Sequence, residues 1–205
     1  TTVEAVTPSA AVHAYSESAD WKINVSSEAL DEDFSKTIRC YPLEALSSAQ
    51  RNFRDPSYKK IWVMTHRAHT TDKSVPENSI SAVKAAIASG ADALECDTHR
   101  TKDGQIVICH DLSINRTTTG NGDIPSLTLE QIKSYKLLDR NGNATNETMP
   151  TLEEFLKACR GKIYVDLDYS PRTASTAEVM AVVEKLGMME QGWFYCNSVE
   201  KCREV

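Results

Sequence analysis

Short apolar runs alternate with helix-like segments from Ile61 to the end of the chain. The runs are IWVMT (61–65), ADALECD (91–97), QIVICH (105–110), KIYVDLD (162–168) and WFYCN (193–197). Between the first two, Ile80, Val83 and Ile87 follow helical spacing and Gly90 ends the pattern. Strands that alternate with helices in this way predict an α/β fold with a parallel sheet, of the (β/α)8 TIM-type barrel class.

The predicted barrel is incomplete. A closed barrel takes about 250 residues, whereas Ile61 to Val205 provides 145 residues and five candidate strands. Further helices are predicted near 128–137, 151–159 and 174–187, and a last one from Ser198. We therefore expect residues 61–205 to form the N-terminal part of a barrel.

Residues 1–60 differ in composition from the rest of the chain. They are rich in Ser, Ala and Glu and show no sustained period, except that Trp21–Val25 alternates as one strand would. We expect an N-terminal extension whose role the sequence does not assign. The chain begins Thr1-Thr2, as a processed protein would, which predicts a secreted or periplasmic location, with the cytoplasm as the alternative.

Composition excludes several classes of partner and centre. The net charge of -6, with no basic stripe, argues against a nucleic-acid partner. No apolar run approaches the roughly 20 residues that a transmembrane helix needs. The six cysteines show no CxxC spacing, so a zinc or redox motif is not predicted. Most of them lie in apolar runs, which favours buried thiols over a disulfide.

Two carboxylates, Glu95 and Asp97, lie two residues apart near the C-terminal end of a predicted strand and share one face. That end of a parallel strand carries the chemistry in barrels. A divalent cation would relieve the repulsion between the acids, and oxygen ligands suit Mg2+ or Ca2+. Asp168, at the end of a later strand, is the expected third ligand, with Asp166 as a competitor. The alternative is that these acids only cap or solvate strand ends.

Two histidines, His66 and His110, each terminate an apolar run. Because imidazole titrates near neutrality, one ring can accept a proton from a nucleophile while the other protonates a leaving alkoxide. Arg67 is a candidate to hold a phosphate with its planar donors, or to form a structural salt bridge instead. The other histidines have polar neighbours and are predicted to lie at the surface: His13, His69 and His99.

The order of these motifs resembles the glycerophosphodiester phosphodiesterases. That family carries His-Arg-Gly, Pro-Glu-Asn, Gly-Ala-Asp, Glu-x-Asp, Thr-Lys-Asp-Gly and His-Asp. This chain has His66-Arg67, Pro76-Glu77-Asn78, Gly90-Ala91-Asp92, Glu95-Cys96-Asp97, Thr101-Lys102-Asp103-Gly104 and His110-Asp111. Asn115-Arg116-Thr117-Thr118 and Pro150-Thr151-Leu152-Glu153-Glu154 also fit. The resemblance covers residues 61 to about 170.

The resemblance implies a (β/α)8 barrel that hydrolyses small glycerophosphodiesters to an alcohol and glycerol 3-phosphate. It implies that His66 and His110 form the acid–base pair and that Arg67 contacts the phosphate. It also implies a divalent cation held by Glu95, Asp97 and a later acid.

Two departures from the family pattern bear on the substrate. Ala68 stands where the family has glycine, and Asp168 is followed by Tyr169-Ser170-Pro171 where the family has a lysine within two positions. Two other functions are therefore kept open. One is a non-catalytic module that binds a phosphodiester, and the other is a related barrel phospholipase acting on lipid phosphodiesters. The second ranks lower because no basic amphipathic helix is evident.

Overall fold

A computed structural model of the chain describes residues 19–25, 34–40, 61–168, 173–195 and 199–203, the first two ranges as backbone. In these first ranges, strands β1 (Ala19–Val25) and β2 (Phe34–Cys40) pair antiparallel as a separate two-stranded sheet. The strand predicted at Trp21–Val25 is therefore confirmed as part of β1. Its partner β2 was not predicted, and the role of residues 1–60 stays unassigned.

The main sheet is parallel, as predicted. Its strands are β3 (Met64–Thr65), β4 (Ala93–Arg100), β5 (Ile106–Ile108), β6 (Tyr164–Asp168) and β7 (Gly192–Tyr195). The four strands β3, β4, β6 and β7 lie side by side in that order and run parallel. Their C-terminal ends therefore meet at one edge, where the polar motifs of the sequence are placed.

Strand β5 corrects one part of the prediction, because it pairs antiparallel with β4. A parallel pair needs a crossover of a dozen or more residues, and only five residues separate β4 from β5. Gly104 turns the chain between them with a φ of +80°. Strand β4 is thus parallel to its neighbours in its first half and antiparallel to β5 in its second.

The helices are α1 (Ile80–Ala88), α2 (Leu129–Lys133), α3 (Leu152–Cys159), α4 (Thr176–Lys185) and α5 (Val199–Cys202). Each of α2, α3 and α4 begins with a capping box, in which an N-cap hydroxyl and a glutamine or glutamate side chain satisfy backbone amides. Helix α2 is shorter than predicted. Among the described residues, no helix is both long and apolar enough to cross a bilayer.

Two hydrophobic clusters hold the described residues together. The larger packs α1, α3 and α4 on the sheet around Phe155, Leu94 and Val165. The smaller lies mostly within residues 109–149, the long connection that follows β5, which we call the excursion. It includes Ile114, Ile124 and Ile132. Cys96, Cys109 and Cys159 are buried free thiols, as predicted, and the side chains of the other three cysteines lie outside the described residues.

Candidate active site

Three carboxylates converge at the C-terminal edge of β4 and β6. The parallel register places Glu95 beside Asp166 and Asp97 beside Asp168. One oxygen from each of Glu95, Asp97 and Asp168 lies within 4.8 Å of the others. The three predicted ligands are therefore brought together, and Asp166, the predicted competitor, lies outside this group.

The carboxylate group concentrates negative charge in a buried place. Burial raises the pKa of Glu95 to about 7, the charges of Asp97, Asp168 and Asp166 act in the same direction, and a hydrogen bond from the backbone of Arg67 opposes them. Burial and the charge of Asp168 also raise the pKa of Asp166. Like charges held this close favour either a proton or a bound cation.

The donor set fits a hard divalent cation. All three converging groups offer oxygen, which suits Mg2+ or Ca2+ rather than zinc. Asn78 lies beside them, since its Nδ2 donates to Asp97 Oδ2 at 3.1 Å. The Oδ1 of Asn78 is buried and accepts no hydrogen bond from any of the described residues. This buried acceptor lies next to three carboxylates, and a bound cation or a water molecule of its coordination shell would satisfy it.

The turn that carries His66 packs against Glu95. It is a 3-10 turn, His66–Ala68, that directly follows β3. The backbone amide of Arg67 donates to Glu95 Oε2 at 2.7 Å. Arg67 and Ala68 have φ values of +53° and +54°, in the left-handed region. This explains why a glycine is expected at position 68, and here a fully buried alanine occupies it.

His110 is tied to the same strand. The amide of Cys109 donates to the carbonyl of Asp97 at 3.0 Å, so the chain enters His110 from a fixed position on β4. The Nδ1 of His110 pairs with Asp111 Oδ1 at 2.8 Å. Hydrogen bonds from Arg116 hold the pKa of Asp111 well below its usual range, against the effect of burial. Asp111 thus stays charged and orients the imidazole, with Nε2 on the opposite edge of the ring.

A buried glutamate, Glu77, pairs with three basic side chains around the site. Arg116 donates to both of its oxygens, at 2.8 and 2.7 Å. Arg67 Nη1 and His69 Nε2 lie 3.5 and 3.6 Å from it. Burial acts to raise the pKa of Glu77, but Arg116, together with Arg67 and His69, lowers it overall. Arg67 therefore has the structural salt bridge that was its alternative, and its role at a phosphate stays a prediction.

Sequence reasoning placed one buried histidine at the surface. His99, predicted to lie at the surface, is only 2% exposed. It stands two residues after Asp97 on β4, and that alternation could have placed it on the functional face. His69 is half-buried rather than exposed, and His13 lies outside the described residues.

Known proteins resemble this chain in sequence. The sequence profile of the Glycerophosphoryl diester phosphodiesterase family matches residues 66–197. The glycerophosphodiester phosphodiesterase of Caldanaerobacter subterraneus subsp. tengcongensis is 39% identical over 107 residues, which is 52% of this chain and 43% of that protein.

Solved structures show the same fold. A glycerophosphoryl diester phosphodiesterase from Parabacteroides distasonis superposes with a TM-score of 0.59 at 29% identity, over 65% of this chain and 46% of that one. An Oleispira antarctica phosphodiesterase in complex with its product sn-glycerol-3-phosphate gives 0.57 at 22% identity, over 70% and 60%, and shows the fold alone. The predicted barrel class is confirmed, and the chain spans about half the length of these proteins.

Proposed function

The chain belongs to the glycerophosphoryl diester phosphodiesterase family, and from that premise we propose that it hydrolyses a glycerophosphodiester to an alcohol and glycerol 3-phosphate with the help of a divalent cation. The observation that carries the proposal is the convergence of Glu95, Asp97 and Asp168 beside the turn that holds His66. The relative from Caldanaerobacter subterraneus bears the name of this activity, and the Oleispira antarctica structure contains the phosphate product.

The acids and the arginine divide the work of handling charge. Mg2+ or Ca2+ held by Glu95, Asp97 and Asp168 would stabilise the negative charge that develops on the phosphate oxygens. Arg67 would donate to the same phosphate. Arg116 already satisfies both oxygens of Glu77, so Arg67 can turn from Glu77 to a substrate without leaving that carboxylate unpaired.

The histidines would move the protons. One of His66 and His110 accepts the proton of the attacking hydroxyl, which belongs to water or to the substrate's own glycerol. As the new P–O bond forms, the second histidine protonates the leaving alkoxide and the old P–O bond breaks. Attack by water gives glycerol 3-phosphate directly, whereas attack by the glycerol hydroxyl gives a cyclic phosphate, which water then opens to glycerol 3-phosphate with the two histidines in exchanged roles. The pairing of His110 Nδ1 with Asp111 directs proton exchange to Nε2.

The first test is turnover of glycerophosphocholine and of a chromogenic phosphodiester, with and without EDTA. We expect His66→Ala and His110→Ala each to lower kcat by about 10²–10⁴-fold, since each removes an acid or a base. The melting temperature should change little, because both side chains are at least one third exposed. Lys84→Ala, on the exposed face of α1, is the matched control. Near-normal turnover in either histidine variant would rule out the mechanism.

A non-catalytic phosphodiester-binding module is the second candidate. Two observations favour it: no lysine follows Asp168 within two positions, and Ala68 holds a left-handed conformation beside His66. This candidate predicts a rise in melting temperature with Mg2+ or Ca2+ and none of the turnover. Measurable hydrolysis that EDTA abolishes would exclude it.

A further inference from the structure

The buried imidazole of His99 bridges two segments of the site. Its Nε2 lies 3.3 Å from the backbone carbonyl oxygen of His110. Its Nδ1 lies 3.3 Å from the hydroxyl of Thr173. The same hydroxyl lies 2.7 Å from the backbone amide nitrogen of Arg100. The ring therefore connects β4, the second residue after β5, and the segment beyond β6.

The chemistry of the carbonyl partner assigns the proton on His99 Nε2. A carbonyl oxygen can only accept, so His99 Nε2 must carry the proton that it donates to His110. In a neutral imidazole Nδ1 then accepts, and the hydroxyl of Thr173 donates to it. The oxygen of Thr173 accepts the amide proton of Arg100. The chain is thus Arg100 amide to Thr173 hydroxyl to His99 ring to His110 carbonyl, and its fixed point is the proton that Nε2 donates to that carbonyl.

We propose that His99 is a positioning residue for His110, and that it acts through the backbone of His110 by the hydrogen bond from Nε2 to the carbonyl. The inference rests on the proposed role of His110 in proton transfer. His110 is held at three points: its side chain by Asp111, the preceding amide by Asp97, and its own carbonyl by His99. Loss of the third contact removes the hydrogen bond that fixes the carbonyl of His110, and the resulting shift of its backbone would misalign Nε2 without removing it.

Two substitutions separate the donor of His99 from its acceptor. His99→Gln places an amide nitrogen near the position of Nε2 and keeps the donor to His110. His99→Asn places a carbonyl oxygen near the position of Nδ1 and keeps only the acceptor for Thr173. We expect His99→Asn to lower kcat by about 10–100-fold, the size of effect that misplacement of a catalytic group produces. KM should stay within about threefold, and His99→Gln should retain kcat within about threefold.

The second pair acts from the other end of the bridge and perturbs the core less. Thr173→Val removes the hydroxyl, whereas Thr173→Ser keeps it, so only the valine variant should lose kcat severalfold. Thr119→Val is the control, because Thr119 is exposed, as Thr173 is, and its hydroxyl accepts from the amide of Lys136 within the excursion. It should lower the melting temperature without a selective effect on kcat.

Nitrogen NMR of the histidine rings tests the bridge without any turnover. The wild-type spectrum should show His99 protonated at Nε2, and the ring signals of His110 should shift in His99→Asn but not in His99→Gln. Absence of turnover in the wild-type chain with these NMR results would refute the proposed function and leave the bridge intact. An unprotonated Nε2 in His99, or equal losses of kcat in both His99 variants, would overturn the inference.

Discussion

Glu95 is a carboxyl whose charged form is disfavoured both by burial and by the neighbouring carboxylates. Its carboxyl is 7% exposed and lies beside Asp97 and Asp168. Its pKa in the folded chain, about 7, exceeds the ordinary value of 4.5. When a carboxyl has a higher pKa in the folded state than in the unfolded state, the folded protein loses stability as pH rises from the lower value to the higher one. The metal-free protein should therefore become less stable between about pH 4.5 and pH 7, and a cation should reverse this.

Glu95→Gln should stabilise the metal-free protein in EDTA at pH 8, by about 1–2 kcal/mol after allowance for solvent screening. The amide oxygen can still accept from the backbone of Arg67. The gain should shrink at pH 5, where the wild-type carboxyl is already protonated. Thermal unfolding at both pH values measures this. The same variant should lose the rise in melting temperature that Mg2+ or Ca2+ gives the wild type.

Asp92→Asn is the control for that experiment. Asp92 is 2% exposed, and its carboxylate accepts from the amide of Val63 rather than joining the converging acids. Its replacement should destabilise the fold modestly and leave the response to divalent cations unchanged. A Glu95→Gln variant less stable than the wild type in EDTA at pH 8 would show that the acids do not repel one another as described.

Arg116→Met should lower stability at pH 7 by about 1–2 kcal/mol, because Glu77 and Asp111 lose their principal partner. The lowered pKa values of both acids mean that their stabilising effect is present above pH 4 and is lost as pH falls through the folded values. The difference from the wild type should therefore shrink as pH falls below about 4.

The comparison for Arg116→Met is Arg100→Met, which breaks an exposed ion pair with Glu178. Urea unfolding from pH 3 to pH 7 should show a change within about 0.5 kcal/mol for this variant. Equal effects of the two substitutions at pH 7 would mean that burial of Glu77 adds nothing.

Individual residues were predictable where a strand's alternation decided their direction. Glu95, Asp97 and Asp168 follow from a period of two and the rule that parallel strands end at one edge. The contact of Arg67 with Glu77 did not follow, because it depends on a left-handed turn that the sequence does not reveal. The burial of His99 was missed because its polar neighbours suggested a surface position.

At the scale of elements, the His66–Ala68 turn stores strain that a paired substitution can measure. A left-handed alanine costs about 1–2 kcal/mol, which glycine avoids. Glycine in turn loses the buried methyl and more chain entropy, so Ala68→Gly should change stability by less than about 1 kcal/mol. Ala86→Gly, equally buried but inside α1, should cost about 1–2 kcal/mol. Chemical denaturation compares them, and equal losses would contradict the strained turn.

Element boundaries followed the sequence where capping residues stand. Helices α3 and α4 begin after Thr151 and Ser175, each with a glutamate three residues on. The predicted helix at 128–137 was too long because Leu137 bridges Thr118 instead of continuing the helix. The direction of β5 could not be read from its alternation, since a period of two is the same in parallel and antiparallel strands.

At the scale of the whole molecule, two hydrophobic clusters imply two levels of local stability. Ile132→Ala, in the fully buried interior of the excursion, should cost about 2–4 kcal/mol. Amide hydrogen exchange should then rise within residues 109–149 more than in α1 or α3. Val183→Ala in the larger cluster is the comparison and should weaken protection throughout. Uniform loss of protection in both variants would show that the clusters unfold as one.

The barrel class was predictable because strand–helix alternation allows few arrangements. The separate hydrophobic cluster within the excursion was not predictable, because it depends on contacts between residues distant in the sequence. The division at residue 60 and the extracellular or periplasmic location remain predictions.

The excursion leaves and rejoins the fold at one place. Ile108 donates to the carbonyl of Pro150 at 3.0 Å, and Val107 bridges Thr151. An insertion whose two ends touch, and whose interior is packed largely by its own side chains, tolerates changes of sequence and length better than the strands of the sheet do. Natural or engineered relatives could therefore vary the later part of the excursion, after Arg116, while His110, Asp111 and Arg116 at its start and the cation-binding groups of the sheet stay in register.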